Sequence, residues 1–425
     1  MSEAALPPAP TGPEGSVPSV ARRLALYQRA GGFVTPLVTA LLAFLMGGIV
    51  VGATGHNPLT TYRDIFRGTG LNWIGSFVRW LALSIGFQHP KFPGSTDAAL
   101  NLQQTLIITT ALILTGLAVA FAFRCGMFNI GGQGQYFVGQ YVAVVVGSSW
   151  AGLAGPAHLF LAIVLAALAG AFWAGIAGFL KATVGAHEVI STIMLNWIAI
   201  WVGSWMFGLG GPLHSGAPQD AFNPVSSTIA DNVHLPVFWG DPTAQGLDIG
   251  FFIAIGALVA YWILLNRTTV GYEVRAVGFN PEAARYGGIS VRRNYILAMA
   301  ISGTFAGLAG AIDMLGWQFQ LATPTIFISA NVGFIGIAVA LLGRNTAIGT
   351  FLGAVVFGAL YVGTSTRNLT SGFDPALASN LTLIIQGLVV LFIGADVLVL
   401  YVWNLRRRVR GRRATPTAIP EKAEA

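Results

Sequence analysis

Ten stretches of this chain stay apolar long enough to cross a bilayer: residues 33–53, 102–123, 130–150, 157–180, 189–209, 249–265, 294–315, 328–343, 346–366 and 380–403. Hydrocarbon about 30 Å thick is spanned by about 20 helical residues, and a helix satisfies its own backbone groups where no water can do so. Charge is scarce to match. Only 9% of the 425 residues are charged, against about 25% in soluble chains, too few to cover several water-exposed domains. The expected fold is therefore all-α, a polytopic membrane protein with about ten transmembrane helices. Val51-Gly52-Ala53 imitates a signal-peptidase site, but its apolar run is long and follows a long tail, so an uncleaved helix is expected. Glycines interrupt the runs at Gly131–Gly134 and around Asn331–Gly336, where one or two spans are expected to be re-entrant or broken.

The basic residues orient the chain. With the N-terminus inside, eighteen of the 23 Lys and Arg fall on the inner side and five, Arg63, Arg67, Arg79, Lys91 and Arg367, on the outer side. That is the asymmetry of positive-inside topology. Residues 210–248 support it independently, with Asp220, Asp231, Asp241 and Asp248 and no Lys or Arg. Both termini are expected in the cytoplasm. The division is then a disordered basic tail over 1–32, a transmembrane body over 33–403 and a basic tail over 404–425, with outer loops at 54–100 and 210–248 and an inner loop at 266–293. Within the first outer loop Trp73, Phe77, Trp80 and Leu81 recur at helical spacing, an interfacial amphipathic helix over about 72–87. The net charge of +7 is spent on topology, and no nucleic acid is implied.

Small residues recur four apart at Ala166, Gly170, Ala174 and Gly178, and again at Gly303, Gly307 and Ala311. Such stripes let helix backbones approach closely.

Three polar features rise above the apolar background. Phe128-Asn129-Ile130-Gly131-Gly132-Gln133-Gly134-Gln135 sets three amides among glycines at the start of a span. Amides in hydrocarbon need partners, so Asn129, Gln133 and Gln135 either line a polar path or clamp helices together. Glu188, Thr192 and Asn196 form a stripe four residues apart, reaching about 12 Å along a helix. Glu188 reads as a solvated helix start and Asn196, deeper, as a pathway candidate; Asn331 is the fifth neutral candidate. In the inner loop Asn280 suits a cap, Pro281 a first helical position, Glu282 the positive end and Gly287-Gly288 a stop. A two-turn helix over about Pro281 to Tyr286 is expected there, among Arg275, Arg285, Arg292 and Arg293. A defined helix in such a loop suits docking of a soluble partner.

Catalytic and metal readings find little. None of Lys91, Lys181 and Lys422 stands in a phosphate-binding G-x-x-x-x-G-K-[ST] loop, the six histidines show no metal spacing, and Cys125 is alone. Asp313 and Asp396 are expected at the membrane interface. A stand-alone secondary transporter or channel remains the alternative to a partner-driven permease, and a membrane enzyme finds no residues to nominate.

The wording of four segments is more specific. Leu114 to Arg124 running into FNIGGQGQ, EVISTIMLN from Glu188, VGFNPEAARYGGI from Val277, and GIAVALLGRN from Gly336 together resemble permease subunits of ABC importers in the branched-chain amino acid and simple-sugar family, especially its nucleoside branch. The resemblance covers roughly residues 33–403. It implies a membrane permease without its own ATPase or cofactor, working with a cytoplasmic ATPase that holds ATP and Mg. It also implies a second permease subunit, often in a heterodimer, and an extracytoplasmic solute-binding protein, commonly a lipoprotein. By the same resemblance, the segment with Gly278, Asn280, Pro281, Glu282, Ala283, Arg285 and Gly287 would seat in the ATPase. Where many relatives carry Glu this chain has Gln133, and where many carry Asp before Gly336 it has Ile335. Two charges of the family pattern are thus missing, which leaves a neutral lining suited to an uncharged solute.

Overall fold

A computed structural model of the chain describes residues 41–85, 97–150, 152–241, 245–323, 331–365, 380, 383–388 and 391. Both expected tails, Lys91, Arg367, and much of the first and last apolar runs lie outside the described residues.

The described chain is helical nearly throughout. Helix α1, Leu41–Ala53, turns through 120° into α2, Pro58–Gly68, where the Asn57 side chain accepts from Leu59 N at 2.9 Å and starts the new helix. Helix α3, Asn72–Ile85, follows in the segment expected to be amphipathic. Its Trp73, Phe77 and Trp80 are half-buried, with Trp73 packed on Trp239 at 4.9 Å between ring centres, while Val78 and Arg79 are exposed.

Then come α4, Asp97–Arg124; α5, Gly132–Ser149; α6, Gly155–Val184; α7, Glu188–Phe207; α8, Gly250–Arg267; α9, Thr269–Phe279; α10, Pro281–Tyr286; α11, Val291–Asp313; α12, Val332–Leu342; and α13, Ala347–Gly363. Five of these are long and apolar enough to cross a membrane, α4, α6, α7, α8 and α11 with its continuation, or six if α1 and α2 make one bent span. Helices α12 and α13 are apolar but shorter, at 11 and 17 residues. This is an all-α, multi-pass membrane protein.

Helices α4 and α11 form the centre. Helix α4 is apolar all round and buried on nearly every side, as a helix surrounded by others should be. Helix α11 packs on α4, α5 and α6. The small-residue stripes explain how close that packing is: a β-carbon added at Gly303 would lie 2.2 Å from the carbonyl oxygen of Gly170, and one at Gly139 would lie 2.4 Å from that of Gly307. Three backbones therefore meet without side chains between them.

The segment between α7 and α8, expected on the outer side, is a folded cap. Its strands β1, Val237–Trp239, and β2, Leu247–Asp248, pair antiparallel. Upstream, Ser226 N donates to Leu321 O at 2.9 Å, Ile229 N to Phe319 O at 3.0 Å and Leu235 N to Leu315 O at 2.8 Å. These bonds lace the cap to the end of α11, which widens into a π-helical turn over Met314–Gln318 and stops at Phe319 in a left-handed conformation, φ 55°. Asp313, expected at the membrane interface, is the last residue of α11. It is buried, accepting from Tyr136 Oη at 2.6 Å and Trp317 Nε1 at 3.2 Å; these donors replace the water a carboxylate otherwise needs.

Candidate functional site

Two helices begin inside the bundle rather than at its surface. Phe128–Gly131 runs into α5 without helical structure, and Asn331 precedes α12. The first turn of any helix leaves its N–H groups without partners, so a start away from water needs substitutes. The amides singled out in the sequence supply them. Asn129 Oδ1 accepts from Gly131 N at 2.8 Å, and Asn196 Oδ1, from α7, accepts from Gly134 N at 2.8 Å. Gln133 Oε1 accepts from Gly333 N at 2.8 Å, so the first turn of α5 caps the first turn of α12.

The donor ends of these amides are used as well. Asn196 Nδ2 donates to Ile130 O at 3.0 Å. Asn129 Nδ2 donates to Gln135 Oε1 at 2.9 Å and to Ser302 Oγ at 2.7 Å, and Gln135 Nε2 returns a bond to Asn129 Oδ1 at 3.0 Å. Ser302 Oγ in turn donates to Ala118 O at 2.5 Å. Asn129, Gln133, Gln135 and Asn196 are all buried, whereas Asn331 is exposed. Four candidates thus form one clamp in which α4, α7, α11 and α12 hold the start of α5, and the fifth stands at its edge.

The glycines are needed for this approach. A β-carbon on Gly333 would lie 2.2 Å from Gln133 N, and one on Gly134 would lie 2.9 Å from Asn196 Cα. Thr192, on the same stripe as Asn196, is also buried, while Glu188 begins α7 in an ion pair with Lys181 at 2.7 Å.

A second site lies by the C-terminal end of α4, where α9 leads into α10. Helix α10 forms over Pro281–Tyr286, its first turn capped by Asn280 Oδ1 on Ala283 N at 3.0 Å. Ala284 turns inward and is buried, while Glu282 and Arg285 face outward in a loose pair at 3.4 Å. Gly287 follows as the cap and Gly288 takes φ 80°, which ends the helix. Gly278 has no room for a side chain, because a β-carbon there would lie 2.2 Å from Arg124 O.

Sequence reasoning passed over α9, whose first turn is capped by Thr268 Oγ1 on Gly271 N at 3.1 Å. It also passed over Phe279 and Tyr286, which flank α10 and are each 94% exposed. The signal for them was present as two large aromatic residues next to the Asn280-Pro281 start and the Gly287-Gly288 stop.

The two sites are physically connected. Arg124 Nε and Nη2 both donate to Asn345 O, at 3.0 and 2.7 Å, and Tyr261 Oη adds a third bond at 2.8 Å. Arg344 and Asn345 make the left-handed turn between α12 and α13. The end of α9 that leads into α10 therefore presses on the end of α4, α4 grips the turn after α12, and the start of α12 is held to α5 by Gln133. Among the described residues, no group of three or more His, Cys, Asp or Glu side chains is placed to hold a metal ion.

Residues 101–394 match the family model described as branched-chain amino acid transport system / permease component. The chain is 34% identical to the guanosine ABC transporter permease protein NupP of Bacillus subtilis, over 89% of this chain and 97% of that one. It is 32% identical to the nucleoside ABC transporter permease protein NupB of Lactococcus lactis, over 78% and 83% respectively. To the glucose ABC transporter permease protein TsgB13 of Haloferax volcanii it is 31% identical, over 84% and 86%. No solved structure matches the chain. The match over most of the chain, together with the apolar helical bundle, places it as a member of the branched-chain amino acid transport system permease family, a membrane-spanning permease of the ABC transporter class.

Proposed function

We propose that this chain is the permease subunit of an importer that moves a nucleoside, or a related small polar solute such as a simple sugar, inward on ATP hydrolysed by a partner. The observation that carries the reading is α10: a capped helix held in water beside the bundle, with Phe279, Tyr286, Glu282 and Arg285 exposed. Exposed aromatics on a rigid element are the residues that anchor protein interfaces, and a cytoplasmic ATPase is the partner the family calls for. ATP and Mg would sit on that ATPase. Gly278, Asn280, Pro281, Ala283 and Gly287 shape the helix, and the exposed side chains meet the partner.

A nucleoside is favoured over a sugar because the relatives with the higher identities are named for nucleosides. The neutral amides at the start of α5 fit an uncharged solute. Asn129, Gln133, Gln135 and Asn196 shape its path by fixing the broken helix, and Asn331 is placed to meet it. A heterodimer is supported by paired relatives: Bacillus subtilis has NupP at 34% and NupQ at 27% identity, and Lactococcus lactis has NupB at 32% and NupC at 29%. An extracytoplasmic solute-binding protein, a lipoprotein, would deliver the solute to the outer face.

Ten spans over residues 33–403 with both termini in the cytoplasm complete the reading. Helices α1, α4, α5, α6, α7, α8, α11, α12 and α13 account for nine of them, the apolar length of 380–403 in the sequence suggests the tenth, and the excess of Lys and Arg on one side supports the orientation in a plasma membrane. The test is uptake of labelled guanosine by vesicles holding the assembled transporter, with the ATPase intact or inactivated. Uptake that persists with an inactive ATPase would overturn the reading in favour of a carrier acting alone.

A further inference from the structure

Further along α5 a second set of amides is fixed from behind. Asp313 is buried, and a carboxylate only accepts, so Tyr136 Oη donates to it at 2.6 Å. The tyrosine oxygen then accepts from Gln140 Nε2 at 3.0 Å, and Gln318 turns its amide to the same oxygen. The second proton of Gln140 Nε2 goes to Gln318 Oε1 at 2.9 Å. Both donors of Gln140 are thereby used and the polarity of each amide is set. What remains is one proton on Gln318 Nε2 and the carbonyl Oε1 of Gln140, which has no hydrogen-bond partner among the described residues. Gln140 is only 3% exposed, and a buried carbonyl is costly until something meets it.

The backbone marks the same place. Gln318 ends the π-helical turn and Phe319 follows it at φ 55°; π turns and left-handed non-glycine residues are costly and collect at functional sites. Residues 313–316 are buried, whereas Trp317, Gln318, Phe319 and Gln320 are each partly exposed, so the turn opens where the amides end. Gln140 also stands seven residues after Gln133, on the same face of α5 and about 10 Å along it, and Gln133 holds the start of α12. This face of α5 therefore meets both interrupted helices, α11 at its π turn and α12 at its start. We propose that Gln140 and Gln318 read the polar edge of the solute's base, Gln140 Oε1 accepting from a ring N–H and Gln318 Nε2 donating to the acceptor beside it, with Tyr136 and Asp313 as positioning residues. This rests on the nucleoside reading above and deepens it. Nucleoside bases carry a donor next to an acceptor on their pairing edge, so several would fit.

The experiment uses the assembled importer in proteoliposomes and measures uptake of labelled inosine, purine riboside and ribose. The two nucleosides share rings and sugar, but only inosine carries the ring N–H and carbonyl. The parent should import inosine with the higher kcat/KM. Gln318→Met keeps the length of the side chain and removes its bonds; inosine kcat/KM is expected to fall about tenfold and that of purine riboside by less than about twofold. The solute-binding protein is the same throughout, so a change in the ratio of the two solutes belongs to the permease. Asp313→Asn, which can donate as well as accept, should lower the same ratio. A parent that imports both nucleosides alike, a parental ratio in Gln318→Met, or a Gln318→Met complex that loses its second permease would each overturn the proposal, and a parental ratio in Asp313→Asn would overturn the positioning role. A parent that imports ribose and neither nucleoside overturns the nucleoside reading itself, a result seen before any variant is made.

Discussion

Replacing Asn196 by Ala separates the two things a buried amide can do in this protein. The side chain makes two bonds to the start of α5, Oδ1 to Gly134 N at 2.8 Å and Nδ2 to Ile130 O at 3.0 Å, and is buried. Removing it strands a backbone donor and a backbone acceptor. In a soluble interior each such group costs about 1–3 kcal/mol, while side-chain hydrogen bonds between membrane helices average about 0.6 and reach about 1.7 kcal/mol. Gly134 N lies in the first turn of its helix and has no carbonyl behind it to turn to, so the upper part of the membrane range applies to it. The expected loss is roughly 2–4 kcal/mol for the pair. Denaturant unfolding of the purified permease in mixed micelles reads this directly, and hydrogen exchange at Gly134 reports whether the loss is local. A fall below about 0.5 kcal/mol with unchanged protection of Gly134 would refute the clamp. A change in solute dependence of uptake at full stability would make Asn196 a lining residue instead.

Three further outcomes follow from the same geometry. Gly303→Val should abolish folding or assembly, because its β-carbon would meet the backbone oxygen of Gly170 at 2.2 Å, while Gly175→Val, on the same helix as Gly170 but with nothing within 4 Å, should express normally. At α10, Phe279→Ala with Tyr286→Ala should weaken ATPase co-purification by about 2 kcal/mol or more, whereas Glu282→Ala or Arg285→Ala alone should cost less than about 1 kcal/mol, the value of an exposed pair; equal effects would displace the aromatics as anchors. Burial in the outer cap raises the Asp248 carboxyl to about 6, against backbone bonds from Gly250 and its own residue that lower it. The protonated form is thus favoured in the fold, so this contribution is full below about pH 4 and is lost as pH rises through about 6. Asp248→Asn should flatten thermal stability between those values and leave the protein up to about 3 kcal/mol more stable at pH 7; a parent whose stability does not fall over that window would remove the effect.

Much of the architecture is readable because a bilayer leaves few options. The helical class, the close crossing of α6 and α11 through Gly170 and Gly303, and the bounds of α10 all follow from local rules: apolar length, small residues four apart, an Asn-Pro start and a double-glycine stop. Other features escaped for equally physical reasons. The glycines at Gly131–Gly134 mark a break in the run at 130–150, but nothing in them shows that the helix starting at Gly132 comes within reach of Asn196, well along α7. The partners of Asp313 were not legible, because its donors, Tyr136 and Trp317, come from a different helix and from a π-helical turn. The outer segment reads as an acidic loop, yet it folds by backbone bonds to residues 315–323 that no side-chain pattern records.

The sequence by itself determined that this chain crosses a membrane and that four short segments share the wording of an importer permease, and its basic residues set the orientation it is expected to take. Those are properties of length, charge and order, which need no contact between distant residues. Only the tertiary structure decided what the polar residues do. Asn129, Gln133, Gln135 and Asn196 have the same chemistry whether they line a path or close a clamp, and the difference lies in which backbone groups are left unpaired nearby. Because the first turns of α5 and α12 meet inside the bundle, the amides are drawn to those starts.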